Sequence, residues 1–151
     1  MAPNCKFVVD DVEAPWTYQE SEAFDFIHGR GMGGSIANWS QLYSEIYKHL
    51  KPGGLLEMQE FEAWVRSDDD VELTNASNVL SMLQEVDKAS VAFGKQINIA
   101  AKVKQGMIDA GFEDVTEVIH KVYVSFCSCF SDLISLTNNG PTLTASCGAM
   151  A

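Results

Sequence analysis

The sequence predicts an α/β layered domain, and three observations carry that prediction. Short apolar runs stop abruptly at acids or glycines, as buried strands do. An amphipathic stretch over 38–50 lies between two such runs. The elements follow the order strand, loop, strand, helix, strand, helix, helix, strand, and no segment repeats.

Lys6-Phe-Val-Val9 is the first strand, halted by Asp10-Asp11. Pro15 biases the residue before it away from helix, so 13–16 is a loop. Phe24–His28 is the second strand and runs into the glycine-rich stretch 29–34. Over 38–50, Trp39, Leu42, Tyr43, Ile46 and Leu50 form one stripe behind Asn38, a good N-cap. Lys51-Pro52-Gly53-Gly54 stops that helix. Leu55–Glu60 is the third strand, with an extension toward Val65 allowed. An acidic loop at 66–70 leads into a helix over 72–93, with Val79, Leu80, Leu83 and Val86 inward. A further helix covers 98–110, capped by Asn98 and closed at Gly111. Val115–Val124 is the fourth strand. From Ser125 onward the chain is rich in Ser, Thr, Cys and Asn and shows no sustained period.

With 151 residues and 46% apolar content, the chain fits one domain with an ordinary core. Its 21 acids against 10 bases give a net charge of −11. That balance argues against a nucleic-acid face, which needs Lys and Arg clusters, and against docking on anionic membranes. No apolar run approaches the ~20 residues of a membrane span. The first residues lack the charged-then-apolar pattern of a signal peptide. Cys5, Cys127, Cys129 and Cys147 form no CxxC pair and no His–Cys zinc spacing, so no metal site is expected. Reduced thiols in a soluble cytoplasmic or nuclear protein are the expectation.

Three stretches in sequence carry a resemblance: Asp10-Asp11-Val12-Glu13-Ala14-Pro15-Trp16, then Phe24-Asp25-Phe26-Ile27-His28-Gly29-Arg30, then Trp39 through Lys51-Pro52-Gly53-Gly54-Leu55-Leu56-Glu57. With Ala110-Gly111-Phe112-Glu113-Asp114-Val115, they resemble the middle and late motifs of class I S-adenosylmethionine-dependent methyltransferases. Their spacing and aromatic choices are most similar to the fungal branch containing the velvet-complex regulator of secondary metabolism. The likeness covers about residues 3–124.

The resemblance implies a Rossmann-like methyltransferase fold over 1–124, truncated at the N-terminus and missing the first two strands, followed by a divergent tail over 125–151. In this family the acid after the third strand accepts from the adenine amino group and the next backbone N–H donates to the ring; by position these are Asp11 and Val12. His28, Gly29 and Arg30 end the family's fourth strand beside the methyl-donor pocket. Glycine there permits close approach to a ligand, and Arg30 suits a carboxylate. His28 has the pKa range of a general base, but a lone His at a strand end is more often simply hydrogen-bonded, so no catalytic residue is assigned. The implied cofactor is S-adenosylmethionine; the implied acceptor is a small metabolite or a protein, with a regulatory protein partner as the alternative.

Several features are set aside as structural. Gly31–Gly34 lacks the Lys-Ser/Thr of a P-loop and reads as a flexible turn. Trp39, Tyr43 and Tyr47 read as helix packing. Glu57 and Glu60 read as the exposed face of a strand. The family's glycine-rich loop and its ribose-binding acid would precede residue 1, and neither has a stand-in. The family's sheet order, 3-2-1-4-5-7-6, leaves the strand between the fifth and sixth unrecognised after Val124. Intron read-through beyond Lys121–Val124 and a divergent natural C-terminus remain equal accounts of the tail.

Overall fold

The computed structural model describes residues 3–121 together with the backbone of 142–146. Seven elements follow in order: β1 (Phe24–Arg30), α1 (Trp39–His49), β2 (Leu50–Gln59), α2 (Ser77–Phe93), α3 (Ala100–Asp109), β3 (Glu113–Val118) and β4 (Thr142–Ser146).

The sheet order is β1-β2-β4-β3. β1 and β2 run parallel, with His28 opposite Glu57 and Arg30 opposite Gln59. β4 lies antiparallel between β2 and β3. The strand that had no recognisable sequence after Val124 is therefore Thr142–Ser146, and it completes the latter half of the expected order. Its residues, Thr-Leu-Thr-Ala-Ser, alternate weakly, and their place in the sheet comes from pairing on both sides rather than from local pattern. The rest of the 125–151 tail, and Val122–Val124 of the expected fourth strand, lie outside the described residues. So do Cys127, Cys129 and Cys147, whereas Cys5 is an exposed thiol.

α1 begins as its sequence dictates, with the Asn38 side chain accepting from the Gln41 N–H at 3.1 Å. Lys48 and His49 occupy its last turn, where positive charge favours the helix dipole. The core is one layer thick. Leu42, Tyr43 and Ile46 of α1 meet Leu56 and Met58 of β2 and Val103 and Met107 of α3. Both helices thus cover the same face of the sheet. On the opposite face Phe26 and Leu55 remain 51% and 41% exposed.

Four expectations are corrected. The first strand does not form: Phe7, Val8 and Val9 belong to no regular element and are 77%, 69% and 104% exposed. A lone strand has nothing to satisfy its N–H and C=O groups, and β1 pairs only with β2 among the described residues. The 72–93 helix begins at Ser77 after a short 3-10 turn, and Ser90 is its one buried residue among those described. Of its apolar stripe, Leu80 and Leu83 are half-buried while Val79 and Val86 stay exposed. Asn98 does not cap α3; Ile99 holds that position, and Asn98 Oδ1 accepts from Ala63 N–H at 3.1 Å. β2 starts at Leu50, five residues before the expected strand, because Leu50 pairs with Phe24 as α1 ends, and it stops at Gln59.

Candidate functional site

Because β1 and β2 are parallel neighbours, both end at the same edge of the sheet. In open α/β sheets ligands bind in the crevice outside those carboxyl ends. Loop 31–38 leaves β1 there, and the segment starting at Glu60 leaves β2 beside it.

Loop 31–38 is held from three sides. Its Gly31 and Gly34 take left-handed backbone angles, φ +62° and +78°, which side chains resist. Gly31 N–H donates to the Gln59 carbonyl at 2.9 Å and Gly34 N–H to the Gln96 carbonyl at 2.9 Å. A Cβ on Gly33 would stand 2.5 Å from the Ile97 carbonyl oxygen. From beneath, Glu60 accepts the N–H groups of Met32 and Gly33 at 2.7 and 3.2 Å.

Glu60 is 3% exposed, which overturns its assignment to an exposed strand face. Side chains alternate along an extended chain, so Glu60 shares the buried parity of Leu56 and Met58, while Glu57 takes the other. Burial pushes its carboxyl above the usual range, partly offset by the two amide bonds.

Segment 10–16 docks on the start of α1. Glu13 accepts the Ala37 and Asn38 N–H groups at 2.8 and 3.0 Å and pairs with Lys95 at 3.2 Å. Those two amides, helped by Lys95, hold its carboxyl below the ordinary range against the opposing effect of burial. Lys95 also donates to the Ser35 carbonyl at 2.7 Å. Trp16 N–H reaches Glu45 Oε2 at 3.3 Å.

Asp11 and Val12 lie in the turn just before this anchor, not at the end of a strand as expected. Asp11 Oδ1 accepts the Glu13 N–H at 3.0 Å, and the Val12 carbonyl accepts from Trp16 Nε1 at 3.1 Å. Since Glu13 is fastened to the loop leaving β1, the turn belongs to the same edge of the sheet.

His28 sits within β1 rather than at its end, and its Nδ1 lies 2.8 Å from Glu57 Oε2. The Phe26 ring stacks on it at 6.2 Å. Gly29 is small for an internal reason: a Cβ there would meet Met58 Sδ at 2.7 Å. Arg30, the last residue of β1, is exposed and forms no ion pair among the described residues. Strand alternation sends His28 and Arg30 to one face and Gly29 to the other, so the three do not converge on one pocket.

Residue-by-residue reading missed Glu13, Glu60 and Lys95. Parity with Leu56 and Met58 marked Glu60; nothing local marked the other two. Beyond the loop, an open cleft of about 340 Å³ is lined by Gly34, Val86, Ala89, Phe93, Lys95 and Ile97. Among the described residues no three His, Cys, Asp or Glu side chains group to hold a metal, and no helix is long and apolar enough to cross a membrane.

A mixed sheet with parallel β1 and β2, helices on one face and loops gathered at its carboxyl edge defines a Rossmann-like α/β domain. An S-adenosylmethionine-dependent methyltransferase from Methanosarcina mazei has a similar fold, with a TM-score of 0.59 at 15% identity over 96% of this chain and 68% of that one. The chain belongs to the methyltransferase domain family, whose description matches residues 2–117. It is 34% identical over 123 residues to the methyltransferase cpsF of Aspergillus campestris, covering 82% of this chain and 43% of that protein. It is 35% identical over 122 residues to the secondary metabolism regulator LAE1 of Cochliobolus heterostrophus, covering 80% and 39%. The chain thus spans about two fifths of the length of these relatives.

Proposed function

We propose that this chain forms part of an S-adenosylmethionine-dependent methyl-transfer site, acting on a small secondary metabolite or a protein inside the cell, in cytoplasm or nucleus. The observation that carries the reading is the fastening of the Asp11–Val12 turn, through Glu13, to the loop at the carboxyl end of β1.

The residues present suit the cofactor. Asp11 Oδ2 and the Val12 N–H make no hydrogen bond among the described residues, leaving an acceptor and a donor side by side for the adenine edge. The Arg30 guanidinium suits the methionine carboxylate. His28 and Gly29 shape the strand that carries it. Among the described residues nothing replaces a glycine-rich loop or a ribose-binding acid, so this chain alone is expected to bind weakly and turn over slowly or not at all. When bound, the cofactor supplies a sulfonium methyl already activated for in-line transfer. The chain's share is then positioning, which by itself accounts for a large part of such a barrier; no side chain is assigned as catalyst.

Calorimetric titration with S-adenosylhomocysteine tests this. Asp11→Ala should weaken binding by roughly 10- to 100-fold, the value of a hydrogen bond to a charged group. A cooperatively folded wild-type chain that takes up none of the ligand removes the reading.

One observation favours a second reading, a non-catalytic regulatory interaction protein. Val79, Met82, Val86 and Phe93 leave α2 with an exposed apolar side, as a docking surface would have. Folding without ligand binding would select it.

A further inference from the structure

We propose that Glu60 is a positioning residue whose carboxylate fixes the shape of the loop after β1, and with it the ligand affinity of the crevice. The ligand half of this inference rests on the methyltransferase reading.

An acid is a costly choice for a site 3% exposed. Leu56 and Met58, on the same face of the same segment, show what packing alone selects there. Position 60 differs in what stands over it: two successive N–H groups, of Met32 and Gly33, both turned inward. Each donor addresses a different oxygen, and a side chain whose two terminal oxygens both accept without carrying a proton is an ionised carboxylate. A glutamine offers one acceptor and sets its NH₂ against the other amide.

The loop has no slack to absorb that loss. Gly33 has no room for even a Cβ against the Ile97 carbonyl, and Gly34 is tied to Gln96. Shifting Met32 and Gly33 therefore moves Gly31 and Arg30, which lead directly into them.

The groups around Glu60 leave its charge unneutralised. Tyr43 of α1 approaches it with a neutral phenol that feels its charge. Lys95, from the α2–α3 connection, is committed to Glu13 and the Ser35 carbonyl. Arg30 and the His28–Glu57 pair lie on the other face of the sheet. Protonation turns one of the two oxygens into a donor, so the clamp holds above the midpoint of Glu60 and opens below it.

The test combines ligand titration with amide spectroscopy on the full chain. In wild type, S-adenosylhomocysteine affinity should fall as pH is lowered through a midpoint above 4.5. In Glu60→Gln the affinity should be about tenfold weaker at pH 8, as expected for one charged hydrogen bond, with that pH step gone. The Gly33 amide should exchange faster in the variant while the α1 amides keep their protection. Equal affinity with an unchanged pH profile overturns the assignment. If wild type binds no ligand, the methyltransferase reading falls and with it the ligand half; unchanged Gly33 exchange in Glu60→Gln then overturns the clamp as well. If Glu60→Gln does not fold, wild-type spectra decide: the Met32 and Gly33 amide shifts must titrate together with one carboxylate midpoint above 4.5, and independent behaviour refutes the clamp.

Discussion

Lys95 and Glu13, eighty-two residues apart in sequence, meet at 3.2 Å and close a ring of contacts around the start of α1. The carboxylate is the hub, since it also takes the Ala37 and Asn38 amides. Its folded pKa lies below the ordinary 4.5, so the folded state prefers it charged. The stability it contributes is present above 4.5 and is lost as pH falls through the lower, folded value. Glu13→Gln should therefore melt below wild type at pH 7. The gap should begin to close as pH drops beneath 4.5 and vanish below the folded value, where both chains carry a neutral group. Melting curves from pH 3 to 7 check this; a gap that stays constant with pH refutes it.

Parts of this architecture were legible in sequence where local rules and tertiary context agree. α1 shows its cap and stripe in the thirteen residues 38–50, and both are found in place, whereas the expected stop at 51–54 lies inside β2. β1 and the turn at Gly111, with φ +98°, were equally readable. Elements that depend on distant partners were not. Phe7–Val9 has the composition of a strand but pairs with none among the described residues. Thr142–Ser146 lacks that composition and is a strand because β2 and β3 flank it. At the site the pattern repeats: Asp11, Val12 and Arg30 are proposed from motif likeness alone. Glu13 and Lys95 were missed because neither residue announces a partner so far away. Glu60 was misassigned by reading it beside Glu57 rather than by parity with Met58.

Gly106 sets two effects against each other. In a helix interior alanine is favoured over glycine by about 1 kcal/mol. A Cβ at this point of α3, however, would stand 2.6 Å from Cε2 and 3.2 Å from Cδ2 of the Tyr43 ring. That ring is 1% exposed and has nowhere to swing. Overpacking of this kind costs about 1–3 kcal/mol, so steric cost should win. Gly106→Ala is expected to lower stability in urea unfolding, and an increase would show that α1 and α3 separate readily.

The same ring carries a second prediction. Its hydroxyl is buried with no hydrogen-bond partner among the described residues, and burial, reinforced by the Glu60 charge, pushes the phenol well above its usual pKa. Leaving such a group unsatisfied costs about 1–3 kcal/mol. Tyr43→Phe deletes the oxygen and keeps the ring packing, so it should be neutral or stabilising in the same unfolding assay. A loss above about 1 kcal/mol would mean that the hydroxyl finds a partner, such as a water, worth a full hydrogen bond.

The exposed run at the start of the chain gives the sharpest contrast between composition and context. Burying Phe7, Val8 and Val9 in a sheet would tie up three apolar side chains, each worth about 1.5–3 kcal/mol of transfer free energy. Exposed as they are, they contribute almost none of it. Replacing all three by serine should therefore change unfolding stability by no more than about 0.5 kcal/mol per site, the range of ordinary surface substitutions. The variant should also be more soluble, because an exposed run of strand-forming apolar residues invites pairing with another chain. A loss of several kcal/mol from this triple substitution at low protein concentration would show that the segment is paired within the chain after all.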